Sequence, residues 1–134
     1  DARAVLGIEE AVRRAKAYAE AGADVLFVES PESVEELQMI TAALDRPCLA
    51  NMVEGGRTPL CSAEELQRLG FKLVIFPGML ARFIAKQVAD FLHGVHREGT
   101  SKPFLNRMLS FDEINALVGI REFRDLEARF LPQR

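Results

Sequence analysis

Residues 23–31, with the sequence ADVLFVESP, join a short apolar run to an abrupt polar ending. The run from Ala23 to Val28 is nearly continuous rather than alternating, which is typical of a parallel strand covered on both faces. Two further runs share this pattern, at residues 47–50 (PCLA) and 72–76 (KLVIF). The sequence therefore predicts three buried parallel strands.

Amphipathic patterns precede, separate and follow these strands, because apolar residues recur there every three or four positions. The predicted helices cover about residues 8–21, 34–44, 63–69 and 79–97. Ser33, Ser62 and Ser110 each stand three residues before a glutamate, which is the capping-box spacing that starts a helix. The last of them predicts a helix over about residues 111–118, and a final amphipathic helix is expected after Gly119.

Alternating strands and helices of this kind require a parallel sheet with right-handed crossovers. Three strands are few for an open parallel sheet, and a complete (β/α)8 barrel takes about 250 residues, against 134 in this chain. We therefore expect an α/β fold that is half of a (β/α)8 barrel and lacks its N-terminal half. The barrel part is predicted over residues 1–97, and residues 98–134 are predicted to be a helical tail.

The composition is that of an ordinary globular protein, with 49% hydrophobic and 28% charged residues. The formal net charge of −3 offers no basic surface for phosphates, so a nucleic acid is not an expected partner. No apolar run approaches the roughly 18 residues of a membrane span, so a membrane is not expected either. Two cysteines, Cys48 and Cys61, make no disulfide framework, and we expect a reducing, cytoplasmic location.

Polar side chains follow each predicted strand at its carboxyl end, where parallel α/β folds place their sites. Glu29 follows the first strand, Asn51 follows the second, and Arg82 lies one turn into the helix after the third. A carboxylate can hold Mg²⁺ or its waters, an amide can bind a substrate oxygen, and a guanidinium can clamp a carboxylate with two parallel bonds. This set suits a small organic acid that carries several charges.

Each of these residues also has a plainer interpretation. Glu29 is also compatible with a surface acid, Asn51 with a residue that satisfies loop backbone groups, and Arg82 with a solvated helix side chain. His93 and His96 are three residues apart on a predicted helix and have metal-ligand spacing, but they lie off its apolar stripe. Exposed histidines without a ligand are the favoured interpretation there.

Several segments together resemble the isocitrate lyase / phosphoenolpyruvate mutase superfamily. Residues 26–29 (LFVE) resemble the sixth strand of that family, and residues 49–59 (LANMVEGGRTP) resemble its seventh strand and the loop after it. Phe76, Pro77 and Arg82 resemble the eighth strand and its helix. The resemblance covers essentially the whole chain and implies the C-terminal half of the barrel.

The resemblance implies a Mg²⁺-dependent carbon–carbon lyase acting on a small 2-hydroxy dicarboxylate, similar to methylisocitrate or dimethylmalate lyases. It also implies that Glu29 is a catalytic residue that reaches the metal through a water. Substrate binding is implied for Asn51, for the backbone of Met52 and Val53, and for Arg82. The alternatives within the superfamily are a phosphonomutase and an oxaloacetate hydrolase. An alternative from another class is a non-catalytic half-barrel that serves assembly or interaction.

Some features of the family have no counterpart in the chain, namely the aspartate pair that carries Mg²⁺ and the gating loop with its catalytic cysteine. We therefore expect the isolated chain to be inactive. Phe111 stands where methylisocitrate lyases have a substrate-binding arginine, which favours a smaller acid than a tricarboxylate. The tail resembles segments that swap between subunits in the family, so a homo-oligomer, specifically a tetramer, is expected.

Overall fold

A computed structural model describes residues 1–131 and shows helices and strands in alternation. In chain order the elements are α1 (Ala2–Leu6), α2 (Ile8–Glu20), β1 (Leu26–Phe27), α3 (Val34–Ala43), β2 (Cys48–Asn51), α4 (Ala63–Arg68), β3 (Leu73–Ile75), α5 (Met79–Glu98), the 3₁₀ helix η1 (Lys102–Arg107), α6 (Phe111–Leu117) and α7 (Ile120–Phe130). None of the helices within these residues is long and apolar enough to cross a bilayer.

The three strands form one parallel sheet in the order β1-β2-β3, which confirms the predicted α/β fold with three parallel strands and flanking helices. Phe27 pairs with Leu49, and Asn51 pairs with Ile75. Strand β1 covers two residues where six were predicted. Its pairing with β2 covers two positions, Leu26 with Cys48 and Phe27 with Leu49.

One face of the sheet packs against helices and forms the core. Leu26, Cys48, Ala50 and Met52 are buried on this face, together with residues of α2, α3 and α4. On the other face the side chains are uncovered, because Phe27, Leu73 and Ile75 are 46%, 45% and 43% exposed. The prediction of strands buried on both faces is therefore wrong for the described residues. In a (β/α)8 barrel this second face lines the interior, where side chains of the other strands cover it.

The helix predictions are confirmed to within a few residues, whereas α1 and η1 were not predicted. Helix α1 has five residues, too few to show an apolar period. Helix η1 begins at Lys102, between the helices predicted over about residues 79–97 and 111–118. Its Pro103 lies in the first turn, where a missing N–H costs no hydrogen bond.

The chain divides into two compact units, residues 1–84 and the residues from 85 onward. The sheet lies in the first unit. In the second, the Phe104 ring meets the Phe91 ring edge to face at 5.4 Å and packs directly over Gly94, where an added methyl group would overlap it. The division into a barrel part over residues 1–97 and a tail over residues 98–134 stays a prediction, and residues 132–134 of that tail lie outside the described residues.

Candidate functional site at the carboxyl ends of the strands

Glu29 and Asn51 lie side by side at the carboxyl ends of β1 and β2. Phe27 pairs with Leu49, so continuing this register by two residues places Glu29 opposite Asn51. Both side chains belong to the face that is not packed against the helices, because side chains alternate along a strand. Both residues are half-buried. The structure therefore brings two of the predicted site residues together.

The Glu29 carboxylate is held from one side. The Ser30 hydroxyl donates a hydrogen bond of 3.0 Å to Glu29 Oε1. The second oxygen, Oε2, accepts no hydrogen bond from residues 1–131. One oxygen is thus fixed and the other remains available for a ligand or for the water of a bound metal.

Asn51 carries a buried polar atom without a partner. Its side-chain oxygen, Oδ1, is inaccessible to solvent and has no hydrogen bond within the described residues. Leaving a buried acceptor unpaired costs about 1–3 kcal/mol, so folded proteins rarely do it without a reason. Because Oδ1 is enclosed in this conformation, the Asn51 amide has to rotate before a ligand hydroxyl or an ordered water can donate to it.

The segment after Asn51 offers its backbone rather than its side chains. Met52 is 0% exposed, its Sδ accepts a hydrogen bond from the Cys61 amide at 3.4 Å, and its own N–H donates to the Ile75 carbonyl at 2.9 Å. The Val53 carbonyl accepts the Gly56 amide at 3.0 Å, which closes the turn that follows. The Met52 side chain is therefore part of the core, and any ligand contact of Met52 has to come from its carbonyl group.

Arg82 lies in the first turn of α5 and reaches back to the loop after β2. Its Nη1 donates to the carbonyl oxygen of Glu54 at 2.9 Å and lies 3.4 Å from Glu54 Oε2. The side chain is 61% exposed. Its other edge, made by Nε and Nη2, binds no residue of the described part of the chain, and this edge has the fork geometry that grips a carboxylate.

A cluster of ion pairs that was not predicted from the sequence supports this end of the sheet. Arg3 binds the Glu36 carboxylate with two bonds of 2.9 and 2.7 Å and contacts Glu32 at 2.5 Å. Arg57, in the loop after β2, lies 3.8 Å from Glu32. No local pattern could indicate these contacts, since Arg3 and Glu36 are 33 residues apart. The cluster ties α1, α3 and two loops of the site together.

The cluster also explains why one capping box is incomplete. The boxes at Ser62 and Ser110 are formed as predicted. Ser33 accepts the Glu36 amide, but the Glu36 carboxylate binds the Glu32 amide and Arg3 instead of completing the box. The hydrogen bonds from Arg3 lower the pKa of the Glu36 carboxyl below its usual range.

A pH dependence of stability follows from this pairing. Because the pKa of Glu36 is lower in the folded state, its contribution to stability is present above the unfolded pKa of about 4.3 and is lost as the pH falls through the folded value. We expect the free energy of unfolding of the Glu36→Gln variant to be lower than that of the wild type at pH 7 and to fall less steeply below pH 4.3. Urea unfolding between pH 3 and pH 7 measures both.

The matched control for this experiment is Glu64→Gln, at an exposed carboxylate that forms no salt bridge within the described residues. Equal slopes for the wild type and Glu36→Gln would show that the Arg3 pair contributes nothing to the acid sensitivity.

The described residues contain no group of three or more histidine, cysteine, aspartate or glutamate side chains that could hold a metal ion. Glu29 by itself fits a contact to a metal through one water, since one of its oxygens is available. The predicted role of Glu29, a contact to the metal through a water, requires one available carboxylate oxygen. This role stays a prediction. Both histidines of α5, His93 and His96, are exposed.

A parallel sheet with helices on one face and polar side chains at the carboxyl ends of its strands has the arrangement found in (β/α)8 barrels. Residues 3–96 match the family model for phosphoenolpyruvate phosphomutase, and the chain belongs to this family. The resemblance to the isocitrate lyase / phosphoenolpyruvate mutase superfamily is thereby confirmed.

Proteins with similar sequences include two named lyases. The chain is 40% identical to 2,3-dimethylmalate lyase of Eubacterium barkeri over 134 residues, which are 100% of the chain and 46% of that protein. It is 37% identical to 2-methylisocitrate lyase of Aeropyrum pernix over 128 residues, which are 96% of the chain and 42% of that protein. The chain thus spans less than half the length of these relatives. Its assignment to the C-terminal half of the barrel stays a prediction.

Solved structures give the same result for the fold. A crystal structure of 2,3-dimethylmalate lyase superposes on the chain with a TM-score of 0.83 at 32% identity. The aligned region covers 96% of the chain and 45% of that protein. A structure of phosphonopyruvate hydrolase in complex with oxalate and Mg²⁺ superposes with a TM-score of 0.76 at 27% identity, over 95% of the chain and 45% of that protein. The described residues therefore adopt part of the barrel that these enzymes share.

Proposed function

We propose that the complete protein is a Mg²⁺-dependent carbon–carbon lyase, similar to methylisocitrate and dimethylmalate lyases, that acts on a small 2-hydroxy dicarboxylate. The observation that carries this proposal is the buried and unpartnered Oδ1 of Asn51 beside Glu29, at the strand ends that Arg82 approaches. The names of the similar proteins support it, because both sequence relatives are lyases of small organic acids.

The three side chains match the groups of such a substrate. The open edge of Arg82 suits a carboxylate, and Asn51 Oδ1 suits the hydrogen of a hydroxyl group. Cleavage removes the proton of the 2-hydroxyl group, breaks the adjacent carbon–carbon bond and converts the hydroxyl carbon into a keto group. The electron pair of the broken bond stays on the other fragment, which then takes up a proton. Glu29, next to Asn51, lies where a carboxylate can accept the hydroxyl hydrogen bond or hold a metal-bound water.

Bound Mg²⁺ stabilises negative charge that develops on a substrate oxygen. Since the described residues hold no metal-binding cluster, we propose that the direct ligands come from the rest of the protein and that Glu29 contributes through a water. A structurally similar protein, phosphonopyruvate hydrolase, forms a complex with oxalate and Mg²⁺, which supports the proposed metal and an acid of this kind as the ligand.

The test is an assay of the complete protein with Mg²⁺ and either 2,3-dimethylmalate or 2-methylisocitrate. We expect a keto acid as one product, loss of turnover in EDTA and recovery when Mg²⁺ is added back. The isolated 134-residue chain is expected to show no turnover. If the protein converts phosphonopyruvate or oxaloacetate but neither hydroxy acid, the lyase assignment is wrong. The protein is then a phosphonomutase or an oxaloacetate hydrolase. Failure on every small hydroxy and keto acid would favour the non-catalytic half-barrel.

We also propose that the protein is a cytoplasmic homo-oligomer, a tetramer by resemblance to its family. Large apolar side chains of α6 and α7 support this, because Phe111, Phe123 and Phe130 are 88%, 67% and 75% exposed within the second unit. Sedimentation of the complete protein gives its oligomeric state.

A further inference from the structure

Ser30 has an unusual backbone conformation directly beside Glu29. Its φ angle is 57°, in the left-handed region, and it is the single non-glycine residue with a positive φ within residues 1–131. Seven glycines of the described chain have positive φ, as expected for a residue without a side chain. A serine here is strained, and such strain persists where the surrounding structure enforces it and often marks functional sites.

The surroundings of Ser30 are fixed on both sides. Before it, β1 is hydrogen bonded into the sheet. After it, Pro31 is buried and the Glu32 amide donates to Glu36 Oε2 at 2.7 Å. Arg3 then binds both Glu32 and Glu36. The turn between β1 and α3 is therefore held at two anchored ends, which enforces the left-handed conformation at its centre.

Glycine would adopt this backbone without strain, so the serine needs another explanation. The structure offers one, because the left-handed turn brings the hydroxyl back onto the side chain of the preceding residue. The Ser30 hydroxyl donates to Glu29 Oε1 at 3.0 Å, and this is the one hydrogen bond that Glu29 receives on its carboxylate from the described residues. It fixes the side-chain rotamer of Glu29 and leaves Oε2 available.

We propose that Ser30 is a positioning residue that aims the Glu29 carboxylate into the site. The left-handed turn directs the Ser30 hydroxyl toward Glu29, and the hydrogen bond fixes the position of the carboxylate. This inference rests on the proposed function, because it assigns Ser30 a part in a reaction that Glu29 serves.

Two variants of the complete protein separate the hydroxyl from the backbone. Ser30→Ala and Ser30→Gly both remove the hydroxyl, so we expect both to lower kcat by a similar factor of about ten with little change in KM, the order of one hydrogen bond to a charged group. Their stabilities should differ, because glycine relieves the strain and alanine does not. The melting temperature of Ser30→Gly is expected to exceed that of Ser30→Ala.

The control is Ser62→Ala, which removes the N-terminal cap of α4 and should lower the melting temperature without changing kcat. A Ser30→Gly variant that keeps the kcat of the wild type would overturn the proposal. A loss of kcat that follows the melting temperature through all three variants would also overturn it, because Ser30 would then be merely structural.

Binding of oxalate with Mg²⁺, measured by calorimetry, separates this proposal from the proposed function. Oxalate is planar like the keto acid that forms on cleavage, whereas the hydroxyl carbon of the substrate is tetrahedral, so oxalate affinity is expected to fall with kcat while KM stays nearly unchanged. If the wild type binds oxalate but cleaves no hydroxy acid, the lyase assignment fails, and the Ser30 proposal stands when both variants bind oxalate about tenfold more weakly. Equal affinity in such a protein would refute Ser30 as well. A wild type that binds no oxalate overturns both proposals.

Discussion

In the complete protein, Glu29→Gln is expected to reduce kcat by a factor of about 10² to 10⁴, the range typical of a lost acid–base group. Glutamine has nearly the same shape and still accepts the hydrogen bond from Ser30, so the fold should be unaffected. What it loses is the negative charge that can accept a substrate proton or hold a metal-bound water. Steady-state kinetics at saturating Mg²⁺, together with the melting temperature, measures both effects.

Glu64→Gln is the matched control for the same substitution, at an exposed position in the first turn of α4. It should keep both the kcat and the melting temperature of the wild type. If Glu29→Gln retains more than about a tenth of kcat, Glu29 is a surface acid with no part in the chemistry, and the proposed site loses its catalytic carboxylate.

The Met52→Ala variant is expected to lower the free energy of unfolding by about 2–5 kcal/mol, the cost of a cavity in a well-packed core. Met52 is fully buried between the sheet and the helices, and its sulfur accepts the Cys61 amide. Met52→Leu keeps most of the volume and should cost less than about 1.5 kcal/mol. Urea unfolding of the complete protein measures these differences.

The same pair of variants tests how Met52 takes part in substrate binding. If the segment acts through its backbone, Met52→Leu leaves KM within about a factor of three of the wild-type value, which corresponds to less than 1 kcal/mol. A large increase in KM for this conservative change would mean that the side chain itself contacts the substrate, in conflict with its burial in the core.

The elements of this fold were predictable because each depends on neighbouring residues. The apolar runs and the helical periods are read within about ten positions, and the Ser62 and Ser110 caps depend on a residue three positions away. The strand ends then placed Glu29 and Asn51 at one edge without further information. The extent of the strands was not predictable, because pairing depends on neighbours that are distant in the sequence.

The parts of the site that the sequence did not reveal depend on distant contacts or on backbone conformation. Nothing near Arg3 indicates that it binds Glu36, and nothing near Arg82 indicates that Glu54 holds one edge of its guanidinium. The left-handed turn at Ser30 was equally hidden, since a serine gives no sign of a positive φ. The predicted side-chain roles of Glu29, Asn51 and Arg82 stay predictions.

The attachment of Arg82 to Glu54 has a mechanical consequence. The loop after β2 is tied to α5 through Arg82 at Glu54, and to the turn after β1 through the contact of Arg57 with Glu32. The loop after β2 is therefore attached on both of its sides, so contacts of two arginines connect the carboxyl ends of all three strands.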